Sequence, residues 1–251
     1  YVAGPRLGRT NSKEQYVFVY DASRIELDPT SVATVPDRQD FLHREPTIAR
    51  IQVRAEPGRT GFSFILANIH TDPDETDQEL DALDAVFVSL QKTPPREDDI
   101  ILLGDLNDDY NHLGQLGELP NITYTVRGEP TNTRGTKSYD NIVFNQMATT
   151  EFTGQAGILS LQSEFGLTDS QALKVSDHQP IWAVFSATEA GSARLASRPG
   201  LSPIAAPPQQ QTAVPPTPRY SNPASQYQTS PQPRYRDPAE QEHAGGVKSR
   251  L

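Results

Sequence analysis

Proline is distributed so unevenly that the 251-residue chain cannot fold in the same way along its whole length. Eleven of the 22 prolines lie after Ala187, in a stretch rich in Gln, Ser and Ala. Such a stretch has too little apolar surface to offset the entropy that is lost on ordering. The sequence therefore predicts one folded domain over residues 1–186 and a disordered Pro/Gln-rich tail over residues 187–251.

Within the predicted domain, strand-like and helix-like patterns alternate. Apolar residues at residues 15–20, 47–53 and 61–69 predict three strands of an antiparallel meander. A helix is predicted over residues 74–91, because five apolar residues fall on one stripe. Further predicted elements are strands at residues 100–103, 139–144 and 179–185 and a short capped helix at residues 168–172. This succession indicates an α+β fold with two packed, mostly antiparallel sheets flanked by helices.

Charge and composition restrict the class of protein. The chain has 15 basic and 28 acidic residues before Ala187, and seven and four from there onward. So acidic a body disfavours tight, salt-driven binding of nucleic acid, although divalent metals can screen the carboxylates of a nuclease that holds its substrate weakly. No apolar run approaches the roughly 20 residues that cross a bilayer. The absence of Cys excludes disulfides and thiolate metal sites.

The compartment stays open. The first residue is Tyr1, with neither an initiator Met nor a signal-peptide pattern, which suggests an internal cut. Secreted and cytoplasmic locations fit equally well.

Three short polar motifs each follow an apolar run and are predicted to lie where a strand ends. They are Asn68-Ile69-His70, Gly104-Asp105-Leu106-Asn107 and Ser176-Asp177-His178, the last after the apolar run at residues 172–175. Each could arise by chance. Together they place two imidazoles, two carboxylates and amide oxygens at strand ends, which is typical of metal-assisted hydrolysis rather than of packing.

Phosphodiester hydrolysis at neutral pH requires an activated water, a proton for the leaving oxygen and positive charge near the non-bridging oxygens. His70 and His178 are the natural acid–base pair, and each needs a carboxylate on its second ring nitrogen to fix tautomer and orientation. Glu14 and Asp140 are the candidates, because each lies beside an aromatic strand residue. Carboxylates with an Asn carbonyl suit Mg²⁺, with Ca²⁺ or Mn²⁺ as alternatives.

These residues resemble the endonuclease/exonuclease/phosphatase superfamily and, within it, the deoxyribonuclease I branch. The Gly-Asp-x-Asn and Ser-Asp-His motifs are general to the superfamily, whereas Lys13, Glu14 and Tyr16 with Arg9 are more particular to the branch. The resemblance covers about residues 1–185 and implies a four-layer α/β sandwich. The shared segments are residues 7–18, 44–46, 68–70, 104–107, 139–140 and 176–180.

The resemblance implies a role for each matched residue. Glu14 would orient His70 and Asp140 would orient His178, and the two histidines would share general acid and base duty. The implied ligands of the metal and the scissile phosphate are Asp105 and Asn107, with Asp177 completing a metal site beside His178. The implied phosphate or substrate contacts are Arg44 and, more weakly, Arg9, Asn68, Tyr139, Arg134 and Lys137.

The chain departs from the family at its N-terminus. The first strand-helix-strand unit, which normally supplies an Asn and a Glu to the metal site and an Arg to the DNA minor groove, is missing. Ser12 also stands where the deoxyribonuclease pattern has a Tyr that packs on a sugar. We therefore expect an incomplete metal site and little activity from these 251 residues alone.

Several residues have simpler interpretations. Asn68, Asn107 and Asp105 could cap turns, and Tyr139 could only pack. Three histidines are assigned to structural or solvated positions: His43, His112 and His243. The acids assigned to a helix start or a loop are Asp72, Asp74, Glu75, Asp108 and Asp109, of which the last two are weak candidates for structural Ca²⁺.

The sequence thus predicts a monomeric, metal-dependent phosphodiesterase, with an endonuclease acting on DNA as the leading hypothesis. A phosphatase or phospholipase with the same centre is the first alternative, and an abasic-site or exonucleolytic repair enzyme the second. An inactive binding module is the alternative from another class. In that case two Pro-Arg-Tyr elements of the tail, at residues 218–220 and 233–235, would recruit an unidentified protein.

Overall fold

The computed structural model describes residues 1–11, 13–93 and 97–190. The predicted tail beyond residue 190, Ser12 and the two prolines predicted to end the helix lie outside the described residues. The strands are β1 (Val2–Leu7), β2 (Glu14–Phe18), β3 (Ile25–Leu27), β4 (Ala33–Thr34), β5 (Thr47–Val53), β6 (Ser63–His70), β7 (Ile100–Asp105), β8 (Ile122–Tyr124), β9 (Asp140–Asn145), β10 (Phe152–Ile158) and β11 (Ile181–Phe185). The helices are α1 (Thr76–Lys92), α2 (Gly114–Glu118), α3 (Leu161–Phe165) and α4 (Asp169–Val175). Among the described residues, no helix has the length and apolar character needed to span a membrane.

A large mixed sheet forms the centre of the described domain. Its strand order is β3-β5-β6-β7-β9-β8, and β4 also pairs with β5. Strands β6 and β7 are parallel and are joined by the crossover helix α1, whereas the other pairs of this sheet are antiparallel. This mostly antiparallel arrangement, with helices alongside, confirms the predicted fold class.

Two antiparallel pairs, β1-β2 and β10-β11, cover one face of the large sheet. Phe64 and Leu66 of β6 belong to both apolar clusters, one of which contains Phe18 of β2 and the other Phe152 of β10, so both pairs lie on the same face. Helices α1 and α2 cover the opposite face, where Ile65 and Leu102 meet the apolar stripe of α1 that includes Leu83. In the described chain, two separate antiparallel pairs take the place of the second of the two predicted sheets.

Strand alternation decides which side chains reach the site. In β6, Ile65, Ala67 and Ile69 are buried toward the helices, so His70 falls on the opposite face together with Phe64 and Leu66. The same alternation puts Asp105 of β7 and Asp140 of β9 on this face. Three polar strand ends therefore converge beside the two small sheets.

Two predictions of local structure are wrong. Strand β2 is not part of the meander, because it pairs with β1, and the outer neighbours of β5 are β3 and β4. The apolar run before Ser176 is the last turn of α4 rather than a strand, since Thr168 and Gln171 form a capping box that starts a helix there. A four-residue apolar run does not distinguish the two structures by its period.

Other predicted elements are confirmed within one or two residues at most ends. The strand over residues 47–53 matches β5, and the helix predicted over residues 74–91 is α1. The described chain also continues past the predicted domain boundary at residue 186. The N–H of Phe62 donates to the carbonyl of Ala187, and Gly61 forms a bridge with Thr188.

Candidate active site

His70 ends β6, and its imidazole is fixed by a residue of the β1-β2 sheet. Its Nδ1 lies 2.6 Å from Oε2 of Glu14, the first residue of β2. The backbone N–H of His70 donates to the Tyr16 hydroxyl at 2.9 Å, and burial raises the pKa of Tyr16 to about 12. Because a carboxylate accepts the Nδ1 proton, Nε2 is the nitrogen left for chemistry.

His178 is held in the same way by a carboxylate of the large sheet. Its Nδ1 lies 2.7 Å from Oδ2 of Asp140, the first residue of β9. The ring of Tyr139 stacks on the imidazole with a centroid distance of 5.9 Å. The hydrogen bond that Nδ1 donates to Asp140 raises the pKa of His178 to about 9, against burial, which lowers it. Without a metal, His178 therefore carries a proton at neutral pH.

Asp105 lies between the two histidines. Its Oδ2 is 3.5 Å from Nε2 of His70 and 3.6 Å from Nε2 of His178. Burial raises the pKa of Asp105, the charge of Asp140 adds to the rise, and the two imidazoles oppose it. The reactive nitrogens of both histidines thus face one carboxylate, which defines a single centre.

The backbone around Asp105 explains why the motif has Gly before it and Asn after it. Gly104 has φ of 145°, and a Cβ there would lie 1.8 Å from the carbonyl oxygen of Ile69. Asn107 has φ of 52°, a left-handed conformation that Asn tolerates. Its side-chain amide donates to the carbonyl of Thr71 at 2.8 Å, which leaves the amide oxygen for a cation or a phosphate.

One acidic group at this centre has the spacing of a metal site. Single ligand atoms of Asp105, Asp140 and His178 lie within 4.8 Å of one another. The sequence had suggested Asp105, Asn107 and Asp177 instead. Asp177 is exposed and contributes its backbone carbonyl to the N–H of Thr133, and its charge helps to raise the pKa of His178. The geometry therefore brings Asp140, rather than Asp177, into the group.

Arg44, the main predicted phosphate contact, is buried, with 5% of its surface exposed. Its guanidinium donates to the carbonyls of His70 and Thr71 at 3.0 and 2.9 Å and lies 3.2 Å from Oε1 of Glu14. This arrangement favours a positioning role, because Arg44 holds both the end of β6 and the carboxylate that orients His70.

The other predicted substrate contacts lie around the centre. Arg9 forms ion pairs with Asp40 and Glu75. Arg134 and Lys137 are exposed on the loop that also carries Thr133, whose hydroxyl donates to the carbonyl of Ser176 next to the second histidine. Asn68 lies two residues before His70 in β6 and so shares its face. The 131–139 loop thus carries two exposed cations, Arg134 and Lys137, on the side of the centre that holds His178.

Sequence reasoning missed two positioning residues. Glu79 of α1 is fully buried and accepts the N–H groups of His43 and Asp72, which fixes the loop after β6. The sequence signal that could have identified Glu79 was its position immediately before Leu80, the first residue of the apolar stripe of α1. Thr131 accepts the N–H groups of Tyr139 and Asp140 at 2.9 and 3.0 Å, and no pattern in its loop points to that role.

Comparisons with known proteins show which proteins the chain resembles. No protein-family model matches the chain. Deoxyribonuclease-1-like 1 of Sus scrofa is 32% identical over 190 residues, which cover 72% of this chain and 58% of that protein. Deoxyribonuclease-1 of Oryctolagus cuniculus is 27% identical over 195 residues, or 72% of this chain and 68% of that protein. The human Nocturnin catalytic domain with bound sulfate has 15% identity and a TM-score of 0.43, with 66% of this chain and 62% of that one covered.

The chain resembles the deoxyribonuclease I branch of the endonuclease/exonuclease/phosphatase superfamily in sequence. Its sequence relatives are deoxyribonuclease I-like proteins at about 30% identity over about 70% of the chain. The chain spans 58% of the length of the Sus scrofa relative and 61% of the human Deoxyribonuclease-1-like 1.

Proposed function

We propose that this protein is a metal-dependent phosphodiester hydrolase and that its substrate is DNA. The observation that carries the proposal is the convergence of the Nε2 atoms of His70 and His178 on Asp105, at 3.5 and 3.6 Å. Each imidazole has a carboxylate at Nδ1, which is the arrangement that general acid and base catalysis needs. The deoxyribonuclease I-like relatives support the reaction class.

In the proposed reaction, the two histidines share the proton transfers. A water oxygen forms a bond to phosphorus while its proton passes to Nε2 of His70. The bond from phosphorus to the leaving oxygen breaks, and that oxygen takes the proton from Nε2 of His178. The raised pKa of His178 supports its assignment as the donor. Proton transfer by positioned side chains of this kind contributes about 10²–10⁴-fold to the rate.

The donor set fits a hard divalent cation. Carboxylate oxygens of Asp105 and Asp140 lie within 4.8 Å of each other, and the amide oxygen of Asn107 is left for the same region. We propose that these residues hold Mg²⁺, with Ca²⁺ or Mn²⁺ as alternatives. When bound, the ion would supply positive charge to the non-bridging phosphate oxygens.

DNA is the favoured substrate because the sequence relatives carry deoxyribonuclease names. Arg134 and Lys137 would then contact the backbone from the 131–139 loop. A phosphatase or phospholipase activity is the second candidate, favoured by the excess of acidic residues before Ala187. A monomeric state and a protein partner for the tail stay predictions from the sequence.

The deciding experiment offers supercoiled plasmid, a phospholipid and a sugar phosphate to the full-length protein, with Mg²⁺ or with EDTA. Nicking of the plasmid with Mg²⁺ and none with EDTA is the expected result. Hydrolysis of only the phospholipid or the sugar phosphate would replace DNA by the second candidate.

A further inference from the structure

A second group of carboxylates lies at the other end of β7 from the active site. It consists of Asp99, Glu151 and Glu189, which we call the distal acid cluster. Asp99 immediately precedes β7, whereas Asp105 ends it, so the two centres are about 20 Å apart along the strand. The distal acid cluster is therefore too far away to take part in the proposed reaction.

Three separate segments bring the cluster together. Glu151 immediately precedes β10, and Glu189 follows β11, so two members lie at the same end of the antiparallel β10-β11 pair, where Phe152 pairs with Phe185. The third member belongs to the large sheet. One carboxylate oxygen from each residue lies within 4.8 Å of the others. A cation with oxygen ligands at about 2.4 Å, as Ca²⁺ has, fits between oxygens at that separation.

The two buried members carry oxygens that have no hydrogen-bond partner among the described residues. Asp99 and Glu151 are 4% and 3% exposed, and neither Oδ1 of Asp99 nor Oε2 of Glu151 has a hydrogen bond. Burying an unpaired carboxylate oxygen is costly, and native proteins seldom leave one unsatisfied. These oxygens point to a ligand that completes the site.

Backbone hydrogen bonds hold two of the carboxylates in place. The N–H of Ala190 donates to Oε1 of Glu151 at 2.7 Å. The N–H and hydroxyl of Ser63 donate to Oε1 of Glu189 at 2.7 and 3.2 Å. These hydrogen bonds hold the carboxylates of Glu151 and Glu189 in place before any cation binds.

The electrostatics agree with the need for a positive charge. Burial raises the pKa of Asp99 to about 8, the charge of Glu151 adds to the rise, and the nearby hydroxyl of Thr149 opposes it. Burial also raises the pKa of Glu189. Carboxylates that are buried together need either protons or a cation, and a bound cation would replace the protons.

We propose that the distal acid cluster binds one divalent cation of the Ca²⁺ type through Asp99, Glu151 and Glu189. The ion would tie the start of β10 and the segment after β11 to the large sheet. Because β11 begins three residues after His178, the β10-β11 pair also anchors the segment that carries His178. The site would be structural and independent of the catalytic metal.

Thermal unfolding of the 251-residue chain in EDTA, Ca²⁺ or Mg²⁺ tests the proposal. The Asp105→Asn variant serves as the background in which the active-site group is weakened. At Ca²⁺ about 100 times its Kd, we expect a rise in Tm of about 5–10 °C in the original chain and in Asp105→Asn. Glu151→Gln should lose this rise, while its Tm in EDTA stays equal to or above that of the original chain.

Asp108→Asn is the matched control, because Asp108 belongs to a more exposed acidic group with Asp109 and His112. It should keep the full response to Ca²⁺. If Glu151→Gln fails to fold, equilibrium dialysis of Ca²⁺ with the Asp105→Asn chain decides: one ion bound supports the site, and none overturns it. A Ca²⁺ response that Asp105→Asn abolishes, or that Glu151→Gln retains, also overturns it.

Discussion

The two ends of β7 carry buried carboxylates in different electrostatic settings. At the catalytic end, Asp105 faces the Nε2 atoms of His70 and His178. At the distal end, Asp99 faces Glu151 and Glu189, and its Oδ1 has no hydrogen-bond partner among the described residues. The same strand thus places one acid beside two imidazoles and, at its other end, another acid beside two carboxylates, where protons or an added cation must balance the charge.

The largest expected effect is on turnover at the catalytic end. In the full-length protein, His70→Ala or His178→Ala should each lower kcat by at least about 10²-fold, because each removes a proton-transfer group. Plasmid nicking with Mg²⁺ measures the loss. His112→Ala is the control, since His112 is exposed and lies outside the centre. Unchanged nicking by both active-site variants would remove the basis of the mechanism.

A backbone substitution at the same end of β7 should cost stability. Gly104→Ala would place a Cβ 1.8 Å from the carbonyl oxygen of Ile69, at φ of 145°. We expect a loss of about 3 kcal/mol in the free energy of unfolding. Urea denaturation measures it. Gly58→Ala is the control, because Gly58 also has positive φ but a Cβ there would have no atom within 4 Å, so its cost should be about 1 kcal/mol.

A smaller effect is expected on the free energy of unfolding, and it should depend on pH because the pKa of His178 is raised in the folded state. The folded-state pKa of His178 is raised from 6.5 to about 9, so its stabilisation is full below pH 6.5 and is lost as the pH rises through 9. In EDTA, the original chain should therefore exceed His178→Gln in unfolding free energy at pH 6, and the difference should shrink by pH 9. Urea denaturation of both chains across this range measures it, and a constant difference would contradict the raised pKa.

The smallest effect on catalysis is expected from the tail. In the full-length protein, removal of residues 191–251 should leave kcat unchanged, because none of the proposed catalytic residues lies there. The longer deletion, of residues 187–251, also removes Glu189. The response of Tm to Ca²⁺ should be lost with it. A large loss of kcat in the shorter deletion would show that the tail contributes to the active site.

Much of the centre could be anticipated from the sequence because its motifs are local. The segment from Gly104 to Asn107 contains both the glycine that the backbone needs at φ of 145° and the proposed metal ligands. Strand alternation puts Asp105 on the face of His70. The hydrogen-bonded pairs of Glu14 with His70 and of Asp140 with His178 lie at 2.6 and 2.7 Å, as the sequence predicts. Their catalytic roles stay predictions.

Other features depended on contacts between distant segments. Arg44 links Glu14 to the end of β6 through contacts with residues up to 30 positions away from it, and no local pattern encodes these contacts. The distal acid cluster likewise joins segments around residues 99, 151 and 189. Single acids beside strands look like ordinary loop residues until the sheets pack together.

The sequence by itself determined the strand faces and the motifs that carry the resemblance to the superfamily, the two histidines among them, because motif spacing and side-chain alternation are local properties of the chain. Only the tertiary structure decided that β2 pairs with β1 and that Ser176 follows a helix. It also decided that ligand atoms of Asp105 and Asp140 lie within 4.8 Å of each other. These outcomes depend on burial and on charge at close range, which arise only when remote segments share a low-dielectric interior.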